Sequence, residues 1–175
     1  MKIFSIFVVE NRNEMSNKKN HWVFLFTLLL ISYKLAVCQD GINYLNIQRD
    51  VNRISCRFNV DTLYLTMQRL YILKDVKIGQ GLAEYYYDCG VALHIYSIIN
   101  NNRLASLTSN EYFVKCIQNS SKYKGDAYFY MTVNYSFLND IEKMQKCLKL
   151  YLKHTPEEFL DHDFIKMINK KLSKS

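Results

Sequence analysis

The chain has 175 residues, 49% hydrophobic and 22% charged, with 23 basic and 16 acidic residues that give a formal charge of +7. That length allows one domain, or two small ones sharing a core, and the apolar and charged fractions are those of a globular protein. There are only five Gly and one Pro, where average usage gives roughly twelve and nine. So few backbone breakers count against a turn-rich sandwich and favour long helices with short polar connections.

The first segment is a leader. Trp22 to Tyr33 (WVFLFTLLLISY) is an apolar run preceded by Lys18 and Lys19 and followed by Ala36-Val37-Cys38. Small residues therefore stand at the minus-three and minus-one positions of a cleavage site, and residues 1–38 read as a secretory signal peptide. Met15 is the alternative start, because MSNKKNH ahead of the apolar run makes the more usual leader. A membrane anchor is the competing reading. A stable span needs about 20 apolar residues, and Lys34 interrupts this run early. Removing residues 1–38 takes five of the 23 basic and two of the 16 acidic residues and leaves +4. The remaining basic cluster (Lys166, Lys170, Lys171, Lys174) reads as the solvated face of a C-terminal helix, not as a nucleic-acid site.

Residues 39–175 form a single helical domain. From Asp40 to Asn59, Ile47, Val51, Ile54 and Phe58 trace one helical stripe. Asn59 or Asp61 then caps a second helix, with Leu63, Met67, Leu70 and Tyr71 inward, running to about Lys77. Gly79 and Gly81 break the chain. The third helix carries Leu82, Tyr86, Cys89, Leu93, Tyr96 and Ile99 on one side and ends at Asn100-Asn101-Asn102. Thr108 and Glu111 make a capping box ahead of Tyr112, Phe113, Cys116 and Ile117. Ala127 to Leu138 has the aromatic and β-branched content of a strand, but its place in the repeat described next makes it a helix. Asn139 and Glu142 make another capping box, for a helix with Ile141, Met144, Leu148 and Tyr151 inward. Thr155-Pro156-Glu157-Glu158 starts the last helix, which packs through Leu160, Phe164, Met167 and Ile168.

Four cysteines remain after Cys38 leaves with the leader: Cys56, Cys89, Cys116 and Cys147. An even number in an exported chain reads as two disulfides, with three possible pairings. Fourteen residues separate Cys56 from Tyr71 and seventeen separate Tyr71 from Cys89; the corresponding intervals in Cys116, Tyr130 and Cys147 are thirteen and sixteen. This approximate repetition divides the domain at about 50–107 and 108–170. It favours Cys56–Cys89 and Cys116–Cys147, one staple per repeat, each worth roughly 3–4 kcal/mol in the chain-entropy model. Phe113-Val114-Lys115-Cys116-Ile117 also resembles Phe164-Ile165-Lys166-Met167-Ile168, so the last helix reads as the entrance of a third, truncated unit. The fold expected is all-α: a disulfide-stapled helical bundle built from two helical repeats.

On these residues the chain resembles the bicycle proteins of aphids, salivary secreted proteins named for a pair of cysteine-tyrosine-cysteine motifs. The matching positions are Cys56, Tyr71 and Cys89, then Cys116, Tyr130 and Cys147, and the likeness covers nearly all of residues 50–150. It implies delivery in saliva into plant tissue, where members act as effectors, some linked to gall development. No enzymatic activity comes with it.

The remaining chemistry is sparse. Asp161-His162-Asp163 is the only compact ligand-like cluster, and it reads as a solvated first turn, since a metal wants three or four convergent groups. His94 lies beside the core stripe and reads as a surface or hydrogen-bonded histidine. No phosphate loop, nucleophile elbow or zinc-binding spacing occurs, so neither an enzyme nor a cofactor is expected. Tyr85-Tyr86-Tyr87 and Tyr128-Phe129-Tyr130 are candidates for an aromatic ligand pocket, or simply core and rim. Asn119-Ser120-Ser121 and Asn134-Tyr135-Ser136 are N-glycosylation sequons. The expectation is a secreted, non-catalytic effector that binds a host plant macromolecule, with Tyr71 and Tyr130 packing beside the staples. The alternative is a secreted helical carrier of small hydrophobic ligands, resembling odorant-binding proteins in architecture though lacking their closely spaced cysteine pairs. A buried apolar cavity would favour the carrier, and an exposed aromatic patch the binder.

Overall fold

The computed structural model describes residues 41–52 and 60–174, and the elements below belong to the unit Ile42–Ser175. The leader, Met15, the cleavage site, Cys56 and the expected cap Asn59 lie outside the described residues. Seven α-helices are seen among those described: α1 (Tyr44–Val51), α2 (Val60–Ile72), α3 (Leu82–Ile99), α4 (Arg103–Asn119), α5 (Lys124–Leu138), α6 (Ile141–His154) and α7 (His162–Leu172). The all-α class therefore holds, with one addition. Strands β1 (Ile42–Asn43) and β2 (Ile78–Gln80) form a short parallel ladder pairing Ile42 with Ile78.

Helix starts follow side-chain caps. Asn43, Asn102, Asp140 and Asp161 each accept a hydrogen bond from a backbone N–H in the first turn of α1, α4, α6 and α7, satisfying donors that the helix itself leaves unpaired. Three expected starts are corrected by these caps. Thr108 is interior to α4, and its hydroxyl donates to the Leu104 carbonyl at 3.1 Å. Asn139 instead ends α5 in the left-handed region, at φ 58°, and its neighbour Asp140 opens α6. Thr155-Pro156 leads only into the 3₁₀ turn Glu157–Phe159, and α7 begins after Asp161. The first helix also stops early, because Val51 is followed by an extended Asn52. The break before α3 is Gly81, at φ 77°, where a Cβ would sit 3.0 Å from Leu45 Cγ. Only glycine satisfies both conditions.

From α3 onward each helix packs mainly on the next one in sequence, and α1 and α2 also lie against α3. The α3 helix is consequently covered on several sides: Ala83, Tyr85, Asp88, Cys89, Ala92 and Ser97 are all buried. The single stripe expected for it is therefore incomplete, with Ile99 exposed. Tyr44, Leu63, Leu70, Tyr85, Cys89 and Ala92 form one core cluster. Phe113, Ala127, Met131 and Cys147 form a second. Met144, Leu148, Tyr151, Phe164 and Ile168 form a third, in which α7 seats on α6. Between α3 and α4 the backbones come close at Gly90, whose missing side chain leaves room for the fully buried Phe113 ring.

The expected repeat boundary at 107/108 falls inside α4. The proposed likeness between α4 and α7 does not extend to their faces either: Cys116 is fully buried, whereas its counterpart Met167 is 58% exposed.

Candidate functional site

A half-open cleft of about 470 Å³ lies among α2, α3 and α4. Three stripes build it. Met67, Tyr71 and Lys74 follow one another at helical spacing along α2 and the turn after it; Cys89, Ala92 and Leu93 come from α3; Thr108 and Tyr112 come from α4. The α2 helix lines the cleft and holds the core with adjoining residues: Leu63, Thr66 and Leu70 are buried, and Leu70 lines the cleft as well. Tyr85 closes the inner end and is fixed there by its hydroxyl, which donates to the Leu70 carbonyl at 3.1 Å.

Among the described residues of the lining, the one charged side chain is Lys74. Its Nζ sits 5.7 Å from the centre of the Tyr71 ring, within cation–π range. The ionisable groups deeper in the cleft are held neutral. Burial pushes the Cys89 thiol up to about 12, outweighing the nearby Tyr85 hydroxyl, which favours the thiolate. Burial also raises the Tyr85 and Tyr112 phenols, with the nearby Cys89 adding to both shifts. The chemistry offered is an apolar, aromatic-walled hollow with one positive charge at its mouth.

Beside it, Asp88 is a buried carboxylate. Its Oδ2 accepts hydrogen bonds from Tyr44 Oη at 2.7 Å and Gln48 Nε2 at 2.8 Å, tying α1 to α3. Burial raises its pKa more than these neutral donors and Asn52 lower it, and Glu84 adds a repulsive charge. A polar cluster on α3, α4 and α5 centres on Asn134, which is wholly buried. Its Nδ2 donates to Asn110 Oδ1 at 2.8 Å and Ser109 Oγ at 3.1 Å, and its Oδ1 lies 2.7 Å from His94 Nδ1. Burial lowers the His94 pKa, against the Asn134 contact. The serine hydroxyls of the cluster are committed: Ser109 donates to the Gly90 carbonyl, Ser97 to the His94 carbonyl, and Ser106 to Ser97 Oγ. None of them donates to the imidazole.

The chain matches no family model, no curated protein and no solved structure.

The residues singled out by the Cys–Tyr–Cys spacing fall in unlike places. Tyr71 is 72% exposed at the rim of the cleft. Tyr130 lies in the aromatic core, stacked on Phe113 with centroids 5.4 Å apart and rings nearly parallel. Packing of both tyrosines in equivalent structural roles is therefore not what is found. Cys89, Cys116 and Cys147 are buried free thiols. Cys116 feels Glu84 and Asp88 on α3, while Cys147 acts on Tyr128 and Tyr135 of α5, and no bond joins the two. Of the two aromatic triplets only Tyr85 reaches the cleft. Tyr87 packs on Phe113 and Tyr123, and Phe129 packs on Phe164 and Tyr151. Asn134 has no path to solvent, so the folded chain has no place there for a glycan. Asn119, by contrast, is exposed at the end of α4. Asp161 is used as a helix cap, and among the described residues no group of three His, Cys, Asp or Glu could hold a metal. No helix among them is long and apolar enough to cross a membrane.

The cleft does not show in the apolar stripes of the sequence. Met67 and Tyr71 continue the stripe of Leu63 and Leu70 on α2 (i, i+4, i+7, i+8), so the sequence marks all four as inward without showing which of them border a hollow.

Proposed function

We propose that this chain is a secreted salivary effector acting in plant host tissue as a non-catalytic protein that binds a host macromolecule. The leader pattern supports export, and the paired Cys–Tyr–Cys spacing supports delivery in saliva. The observation that carries the binding role is the outer side of α2. Tyr64, Leu65, Tyr71 and Ile72 are all exposed, Ile72 at 71%, on a helix that already buries Leu63 and Leu70 inward. A surface helix of a self-sufficient monomer normally shows solvent a polar face, and an apolar one marks an interaction surface. A pull-down from plant extract with folded protein, run beside a Leu65→Glu/Ile72→Glu variant, tests this. A specific partner should be lost with the variant; retention of every captured protein by both forms would refute the assignment to this face.

In the oxidised, exported form we propose the pairing favoured by the spacing, Cys56–Cys89 and Cys116–Cys147, with Asn119 as the glycan acceptor. The burial of Cys116 against α3 and Cys147 against α5 weighs against the second bridge. Mass measurement of peptides from the secreted protein decides between two bridges and a Cys116/Cys147 dithiol.

A second reading, a carrier of small hydrophobic ligands, is favoured by the cleft. At about 470 Å³ it falls within the roughly 300–1,000 Å³ typical of small-molecule sites.

A further inference from the structure

We infer that the cleft among α2, α3 and α4 binds a small amphipathic anion, its apolar body between Met67, Leu93 and Tyr112 and its carboxylate at Lys74. The inference rests on the carrier reading and adds to it the charge and size of the ligand.

Three observations converge on that chemistry. Among its described residues the lining is mostly apolar, with Gln68 and Thr108 as neutral polar side chains and Lys74 as its cation, while Lys115 stands outside the lining over the Tyr112 ring; within the cleft a single charged head is therefore drawn to Lys74. No carboxylate is among the described residues that line the cleft, so none of these competes with the ligand for Lys74. Cys89 brings no negative charge either as the proposed bridge to Cys56 or as a thiol, whose pKa burial pushes up to about 12, and the raised Tyr85 and Tyr112 phenols likewise bring none. Lys74 is exposed, at the end of a flexible stem, and its described partner is the face of the Tyr71 ring. A carboxylate at the mouth can thus be reached without dismantling an ion pair. A neutral ligand would leave this cation unused, and a cationic one would be repelled by it. Size follows from volume. At roughly 30 Å³ per water-sized group, 470 Å³ holds a body of about fifteen heavy atoms, the scale of a medium-chain fatty acid.

The test is competition between dodecanoate and dodecanol for a neutral naphthylamine dye bound to the purified, folded protein. Dodecanoate should displace the dye at about tenfold lower concentration than the alcohol of equal length, and the gap should narrow as salt is raised. Lys74→Gln should erase the gap by weakening dodecanoate, with dodecanol as the reference for any loss that comes from the Tyr71 ring contact. Leu93→Trp, checked for native circular dichroism, should abolish dye binding by filling the cleft. Equal displacement by acid and alcohol, or a gap that survives Lys74→Gln, would overturn the anion preference while leaving the carrier reading intact. Failure of the wild-type protein to bind the dye or either ligand would remove the carrier reading, and this inference with it.

Discussion

Replacing Gly90 by alanine separates helix propensity from packing. In an exposed helix interior this change stabilises by about 0.8–1 kcal/mol, because alanine has less backbone freedom to lose. Here the new Cβ would stand 2.7 Å from Phe113 Cε1 and 2.9 Å from Cδ1 and Cζ. Carbon atoms pack best at about 3.5–4.0 Å, so the ring or the helix must retreat by close to 1 Å. Neither has room. Phe113 is fully buried, stacked on Tyr130 and met by the Tyr87 ring at 6.0 Å. The backbone at Gly90 is in turn pinned by the Ser109 hydroxyl at 2.8 Å. Overpacking of this kind costs about 1–3 kcal/mol, so after the propensity gain the net effect of Gly90→Ala should be a loss of up to about 2 kcal/mol. Urea denaturation of Gly90→Ala, Phe113→Leu and the double variant forms the assay. The alanine should be less damaging beside the smaller leucine, with a coupling of about 1 kcal/mol. A stabilised Gly90→Ala, or the same loss in both backgrounds, would refute the packing argument.

Other consequences concern the buried polar groups. Asn134→Ala strands the acceptor of Asn110 and the ring nitrogen of His94 without a partner, so a destabilisation of about 2–4 kcal/mol is expected by chemical denaturation; a change under 0.5 kcal/mol would mean the cluster is hydrated. Burial raises the Asp88 pKa in the fold, so its contribution is fully present below the unfolded carboxyl pKa and is lost as pH rises through the folded value. Asp88→Asn should therefore flatten the decline in stability on the alkaline side of the carboxylate range, measured from pH 4 to 8. The His94 pKa is lowered from 6.5, so stability should fall as pH drops below that value, and His94→Gln should remove that component alone. With Cys89 and Cys116 pushed up to about 12 and Cys147 to about 11, the reduced native protein should resist a thiol-directed chromogenic reagent at pH 7.5. Fast reaction of these thiols before unfolding would contradict their burial.

Helical class was legible because it depends on local signals: few glycines, one proline, and polar residues ahead of apolar stripes. Boundaries were less so where two capping residues compete. Asn139 and Asp140 stand side by side, and only the left-handed turn at Asn139 assigns one to the end of α5 and the other to the start of α6. Thr108 and Asn102 pose the same ambiguity six residues apart. The stripe on α3 blurred because neighbours cover that helix on several sides, which flattens its periodicity. Tyr71 illustrates a different limit. Its spacing from the cysteines suggested equivalence with Tyr130, but spacing along a chain does not say which way a side chain points. The cleft arises only when three helices meet, so no single segment could reveal it.

The order of helix contacts has a consequence for how the molecule comes apart. From α3 to α7 most contacts join helices adjacent in sequence, with α5 reaching back to α3 at His94, so assembly requires little long-range search and should be quick. The α1 helix is different: it has eight residues, too few to persist alone in water, and it must travel back across the intervening chain to reach Asp88 and the β2 strand. It should therefore dock last and detach first, and amide exchange at Ile47–Val51 should outpace that at Ala92–Ile95 while the remainder of the protein stays folded.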